Sequence, residues 1–217
     1  MRRIIEKDKP LPDHTKLDYD ECCAKLILEE RFPEIYGHID ISDMPDLQSD
    51  NGIGIEVTIA NDEKMMRALS AWIKIPYADE RHRNSYIRIM EKCGVPFQGG
   101  IQSWPITIVS FKKVREAIEK KQNKLNKGNY SSFQHLHLFV FTDTWFDDDI
   151  VGEAKNYLFA EHKNQISFER IYILSIGLFL HVFDLIEKEH FLVLINNAEG
   201  SERNVRAREM VEMAEIE

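Results

Sequence analysis

Apolar and polar positions alternate along this chain with two periods, and the changes of period mark its elements. In "DYDECCAKLILEER" (18–31), Tyr19, Cys22, Cys23, Leu26 and Ile27 share one helical stripe, and Pro33 closes the segment. "EIYGHIDI" (34–41) reads as a short strand, and Leu47 to Ile59 as a hairpin around Asp50, Asn51 and Gly52. "NDEKMMRALSAWIKI" (61–75) is a second helix capped by Asn61 or Asp62, with Met65, Met66, Leu69, Trp72 and Ile73 at helical spacing. Periodicity is lost over 76–100, which reads as an insertion carrying one short helix. "WPITIVS" (104–110) is strand-like, and "FKKVREAIEKKQNKL" (111–125) is a third helix.

Beyond it, "HLHLFVFTDTW" (135–145) is a continuous apolar strand of the kind found in sheets covered on both faces. "DDDIVGEAKNYLFAEH" (147–162) is a helix with acids at its start. "FERIYILSIGLFLHVFDL" (168–185) is a strand pair broken near Gly177, and 196–217 a polar, peripheral helical tail. The order predicts an α/β fold: one domain spanning 1–217, with a mixed β-sheet flanked by helices.

Composition narrows the class. At 217 residues and 43% hydrophobic, the chain supports a sizeable core. No apolar run approaches the length of a membrane span. The first residues, "MRRIIEKDKPLPDHTKLD", lack an apolar signal region, and the three cysteines have no paired spacing. A reducing cytoplasmic setting is therefore expected, without disulfides or a zinc site. The formal charge of −9 argues against nonspecific coating of nucleic acid, which runs on phosphate neutralisation. It does not argue against a metal-dependent nuclease, whose site itself needs carboxylates.

The hairpin "PDLQSDNGIGIEVT" (45–58) raises the chemical question. Ile53, Ile55, Val57 and Ile59 form one face of its second strand, and Glu56 lies on the other with Gly54, Thr58 and Ala60. A two-residue turn at Asn51-Gly52 sets Asp46 and Glu56 on opposite faces. A three-residue loop, Asp50-Asn51-Gly52, with Gly52 left-handed, sets them directly opposite each other on one face. Gly52 favours the second register, in which small Gly54, Thr58 and Ala60 leave room for a ligand. Paired carboxylates repel unless one takes a proton or a cation sits between them, and Mg²⁺ or Mn²⁺ suits such oxygen donors. A polar outer face on an ordinary amphipathic hairpin is the alternative.

"PD" followed ten residues on by "EVT" resembles the PD-(D/E)xK nuclease superfamily. The resemblance implies a restriction-endonuclease-like core of a helix, three strands, a helix and a further strand. It also implies metal-dependent hydrolysis of phosphodiester bonds in DNA or RNA. Asp46 and Glu56 match the motif's metal-holding acids, and Thr58 stands where its lysine is expected. In families of this kind the following helix sometimes supplies the missing cation. Here Lys121 interrupts the third helix's apolar stripe of Phe111, Val114, Ala117, Ile118 and Leu125. It must snorkel outward or meet a carboxylate, and Asp46 and Glu56 are the candidates. The catalytic set is therefore Asp46, Glu56, Thr58 and Lys121, with Glu21 or Glu30 of the first helix assisting. The rival class is a non-catalytic interaction module, a regulator or immunity-type protein on the same fold.

Between Lys112 and Lys127, seven Lys and Arg face only Glu116 and Glu119, which reads as a phosphate-facing ridge or as a solvated helix face. Arg81, His82, Arg83 and Arg88, with Tyr77 and Tyr86, offer charge and stacking for nucleic acid or a solvated insertion. Asp147 to Asp149 read as a helix cap rather than a metal cluster. His135 and His137 read as core or edge histidines.

Overall fold

The computed structural model describes residues 10–12, 14–95, 110–127, 133–160, 167–195 and 197–216. Its elements in chain order are α1 (Tyr19–Arg31), α2 (Pro33–Tyr36), β1 (Ile39–Ile41), β2 (Leu47–Ser49), β3 (Ile53–Ile59), α3 (Glu63–Lys74), α4 (Glu80–Lys92) and α5 (Lys112–Leu125). There follow β4 (His135–Thr142), α6 (Asp148–Leu158), β5 (Arg170–Ser175), β6 (Phe179–Asp184), β7 (Glu189–Leu194) and α7 (Asn197–Ala214). The expected strand over 104–110 lies outside the described residues.

The strands form one seven-stranded mixed sheet in sequence order, β1 to β7. β3, β4 and β5 run parallel, and all other neighbours are antiparallel. A parallel step needs a crossover. α5 and α6 precede β4 and β5, and their apolar stripes cover one face. There Val114, Ala117, Ile118, Ile150, Ala154 and Leu158 pack with Leu138, Val140, Ile171 and Ile173. The other face, Ile53, Ile55, Val57, Phe139, Tyr172 and Val182, packs with Ala24, Ile27 and Leu28 of α1. Both faces are covered, which is why β4 reads as a continuous apolar run.

Several elements differ from expectation. Pro33 does end α1, but it also begins α2, so residues 33–36 are helical and only 39–41 form a strand. Gly37, with φ of 62°, makes the turn between them. β7 was not anticipated: Phe191, Leu192 and Leu194 are exposed at the sheet's edge, so the strand has no single buried face and no clean alternation. The tail helix α7 is more than peripheral. It packs along α1, burying Arg203, Ala207 and Val211, and Arg203 Nη2 lies 3.0 Å from the Glu30 carboxylate.

By its contacts the chain divides into two compact units: 61–107 with the first fifteen residues, and 16–60 with 108–217. Within the first unit, α3 and α4 pack through Ala68, Ala71, Ile75 and Met90. Asp62 caps α3 by accepting from the amides of Lys64 and Met65. Leu69, Trp72 and Ile73 of α3's apolar stripe remain exposed. The second unit holds the whole sheet.

The hairpin takes the three-residue loop. Leu47 pairs with Ile55 and Gln48 with Gly54, while Gly52 has φ of 75° and its amide donates to the Ser49 carbonyl over 3.0 Å. Gly54 does not open space for a ligand, contrary to expectation. A Cβ there would sit 2.6 Å from Pro45 Cγ, 3.0 Å from Leu136 and 3.1 Å from Phe133. Pro45 fills the glycine's face with a rigid ring. Gly54→Ala is therefore expected to destabilise the protein by about 1–3 kcal/mol through overpacking. Denaturant melts would check this, and a variant as stable as wild type would contradict the close approach.

Candidate functional site

The β2–β3 register, continued one residue, sets Asp46 opposite Glu56. Asp46 Oδ2 accepts a 2.7 Å hydrogen bond from the Val57 amide, which anchors its carboxylate against β3. Glu56 is completely buried and Asp46 nearly so. Both lie where α5 crosses the sheet.

Lys121 is the residue that interrupts α5's buried stripe, and it does not snorkel. Its Nζ donates to Asp46 Oδ2 at 2.8 Å and to Glu56 Oε2 at 2.5 Å. Lys124, one turn away on the half-exposed side, places its Nζ 3.4 Å from the same Glu56 oxygen. The helix is held in rotation by its next residue. Gln122 is buried, accepts from the Ser167 amide at 2.7 Å and donates to Ser167 Oγ at 3.1 Å. The rotation that presents Lys121 to the hairpin is thus fixed by its buried neighbour on the same helix.

The two first-helix glutamates have different surroundings. Glu30 is engaged by Arg203, as noted, and Glu29 accepts from Lys25 and from the Ile39 amide, tying α1 to β1. Glu21 instead lies in the field of the site. Burial first, then the negative charges of Asp46, Asp18 and Glu56, push its carboxyl up to about 7, against an opposing pull from Lys121. Lys121 therefore joins two carboxylates, Lys124 reaches one of them, and Glu21 feels their charges without a hydrogen bond to either lysine among the described residues.

Other candidates are placed elsewhere. Thr58 shares the sheet face of Glu56 but makes no hydrogen bond to the cluster among the described residues. His137 is buried on the opposite face, its Nδ1 2.6 Å from Tyr36 Oη, which donates to Tyr172 Oη at 2.7 Å. Burial lowers its imidazole to about 3, which makes it a neutral core group. His135 pairs with Glu169 at 2.8 Å. Asp147 caps α6 by accepting from the Ile150 amide, so the acidic run serves the helix terminus. Arg81, Arg83 and Arg88 are exposed on α4, and His82 pairs with Asp79.

Among the described residues no three His, Cys, Asp or Glu side chains are arranged to hold a metal ion, and no helix is long and apolar enough to cross a membrane. No family model matches the chain, and no curated protein or solved structure matches it.

The Glu21 environment has a thermodynamic consequence. Its folded-state value of about 7 lies above the ordinary 4.5, so the native state holds a proton that the unfolded chain releases. Stability falls as pH rises from about 4.5 to about 7, and the penalty is fully present above that window. Glu21→Gln removes it. In a chelating buffer the variant should melt higher than wild type at pH 8, with the gain shrinking to nothing near pH 4.5. A melting difference independent of pH would contradict this placement of Glu21.

Proposed function

We propose that the protein is a metal-dependent nuclease that hydrolyses phosphodiester bonds in DNA or RNA, built on a restriction-endonuclease-like core. The observation that carries the reading is the single ammonium of Lys121 joining the Asp46 and Glu56 carboxylates. A lysine from the crossover helix reaches the acid pair where Thr58 leaves the strand position without one. With α2 and the α3–α4 pair set aside as additions, the order α1, β1–β2–β3, α5, β4, with β4 parallel to β3, is compatible with the core that the "PD…EVT" resemblance implies.

The donor set fits Mg²⁺ or Mn²⁺. Magnesium is commonly held by only one or two carboxylates, with waters and substrate phosphates completing its shell, so a third protein ligand is not required. Asp46 and Glu56 would hold it. When bound, the metal lowers the pKa of a water and polarises the phosphoryl group. The chain's own residues do the rest. Lys121 orients the attacking water or carries charge from the pentavalent phosphate, the Val57 amide fixes the Asp46 carboxylate, and the Thr58 hydroxyl lies on the same face. The alternative, a non-catalytic interaction module on this fold, is favoured by one specific observation. Lys121 already compensates both acids, as a decayed site would need.

Cleavage of labelled single- and double-stranded oligonucleotides in Mg²⁺ or Mn²⁺ separates the two. Wild type is expected to cleave, and Glu56→Gln, which keeps the shape and loses the charge, should fall by on the order of 10²-fold or more. Circular dichroism would confirm that the variant is folded. A wild type inactive with both metals on DNA and RNA would transfer the assignment to the interaction module. Equal cleavage by Glu56→Gln would remove Glu56 from the site.

A further inference from the structure

The outer side of α5 carries a shallow groove of about 520 Å³ lined by Glu116, Glu119, Lys120, Asn123, Lys124 and Lys127. Its two acids are already spoken for. Glu116 pairs with Lys113 at 3.1 Å, and Glu119 pairs with Arg115 at 2.8 Å while accepting from Tyr157 Oη at 3.2 Å. Among the described residues Lys120 and Lys127 have no acidic partner, and Lys124 reaches only the buried Glu56. Lys120 and Lys124 share a face of α5 at i and i+4, and Lys127, in the turn just past the helix, lines the same groove, so the three make one basic stripe. The middle lysine is the one that touches the site. A chain of net charge −9 thus places a positive track beside its most buried carboxylate.

We propose that this stripe is the track for the substrate's phosphodiester backbone. Lys120 and Lys127 hold phosphates flanking the scissile one, and Asn123 donates between them. Lys124 guides the central phosphate toward Asp46 and Glu56. The inference rests on the phosphodiester reading of that site, and it deepens it by naming which surface receives the strand. Lys112, Lys113 and Arg115, although part of the same basic run, are spent on Glu116 and Glu119 and lie outside the track. Lys120 and Lys127 are positioning residues, so their loss acts on binding before it acts on turnover.

The test is fluorescence anisotropy of a labelled 20-nucleotide single-stranded DNA in a chelating buffer, titrated across salt concentrations. Proteins compared are wild type, Lys120→Gln/Lys127→Gln, and a control, Lys188→Gln/Arg206→Gln. The control removes two exposed charges from the β6–β7 turn and from α7. Removing two phosphate contacts should flatten the slope of log K against log salt by about 1.4. The track variant should show that loss and bind about tenfold more weakly at low salt, while the control keeps the wild-type slope. Equal slopes for wild type and the track variant would overturn the proposal, as would a control that loses as much, or a wild type that fails to bind. Binding of this pattern in a protein that cleaves nothing with Mn²⁺ would uphold the track and defeat the nuclease reading alone.

Discussion

One ammonium between two carboxylates sets the constraint on which the rest of the sheet's organisation depends. Glu56 is fully buried in the middle of β3, and an isolated carboxylate there would be prohibitively desolvated. Lys121 removes that penalty only if α5 crosses at the right height and rotation and if β2 pairs in the right register. Each requirement has a visible cause. Gly52 sets the register, the Gln122–Ser167 clamp sets the rotation, and the apolar stripe of α5 sets the height. Breaking a buried pair by removing one partner typically costs about 3–5 kcal/mol, whereas an apolar replacement of the whole set is often neutral. Stability alone therefore gives little reason to keep three ionisable groups here. The three groups sit in the crossover of a covered sheet, and burial with the charges of Asp46 and Glu56 pushes Glu21 toward neutrality.

The parts legible in the sequence were those governed by local rules. A glycine suited to the left-handed loop position fixed which carboxylates share a face, and a single lysine in an apolar stripe marked the residue that must find them. The caps at Asp62 and Asp147 follow from the same kind of rule. What escaped was decided by tertiary packing. Gly54 reads as open space until Pro45 and Phe133 are seen against it. β7 reads as nothing in particular because its side chains have no buried face. Glu21 and Glu30 are indistinguishable along α1, and only Arg203, arriving from the far end of the chain, shows that Glu30 serves α7, while Glu21 feels the charges of Asp46 and Glu56. Ala68 and Ala71, with Met65 at their edge, meet α4, while Leu69, Trp72 and Ile73 of the same stripe stay exposed.

Charge is distributed by the same logic. The basic run of α5 divides into lysines and an arginine that neutralise their own helix's glutamates, a lysine that enters the core, and a stripe left facing outward. The overall charge of −9 disfavours nonspecific attraction to polyanions, and the outward stripe is a local exception to that sign. The two histidines of β4 show the complementary outcome. His137 is held neutral by burial and bonded into an aromatic network with Tyr36 and Tyr172, and it belongs to the core rather than to chemistry.

The central claim is that Asp46 and Glu56 form a cation site and not merely a buried ion pair with Lys121. Isothermal titration of Mn²⁺ into wild type and Asp46→Asn tests it without any substrate. The account predicts one binding event with an affinity between about micromolar and millimolar, the range of carboxylate sites that keep several waters. It predicts that the event is lost in Asp46→Asn while the variant remains folded. Absence of binding by folded wild type, or the same isotherm from Asp46→Asn, would contradict it.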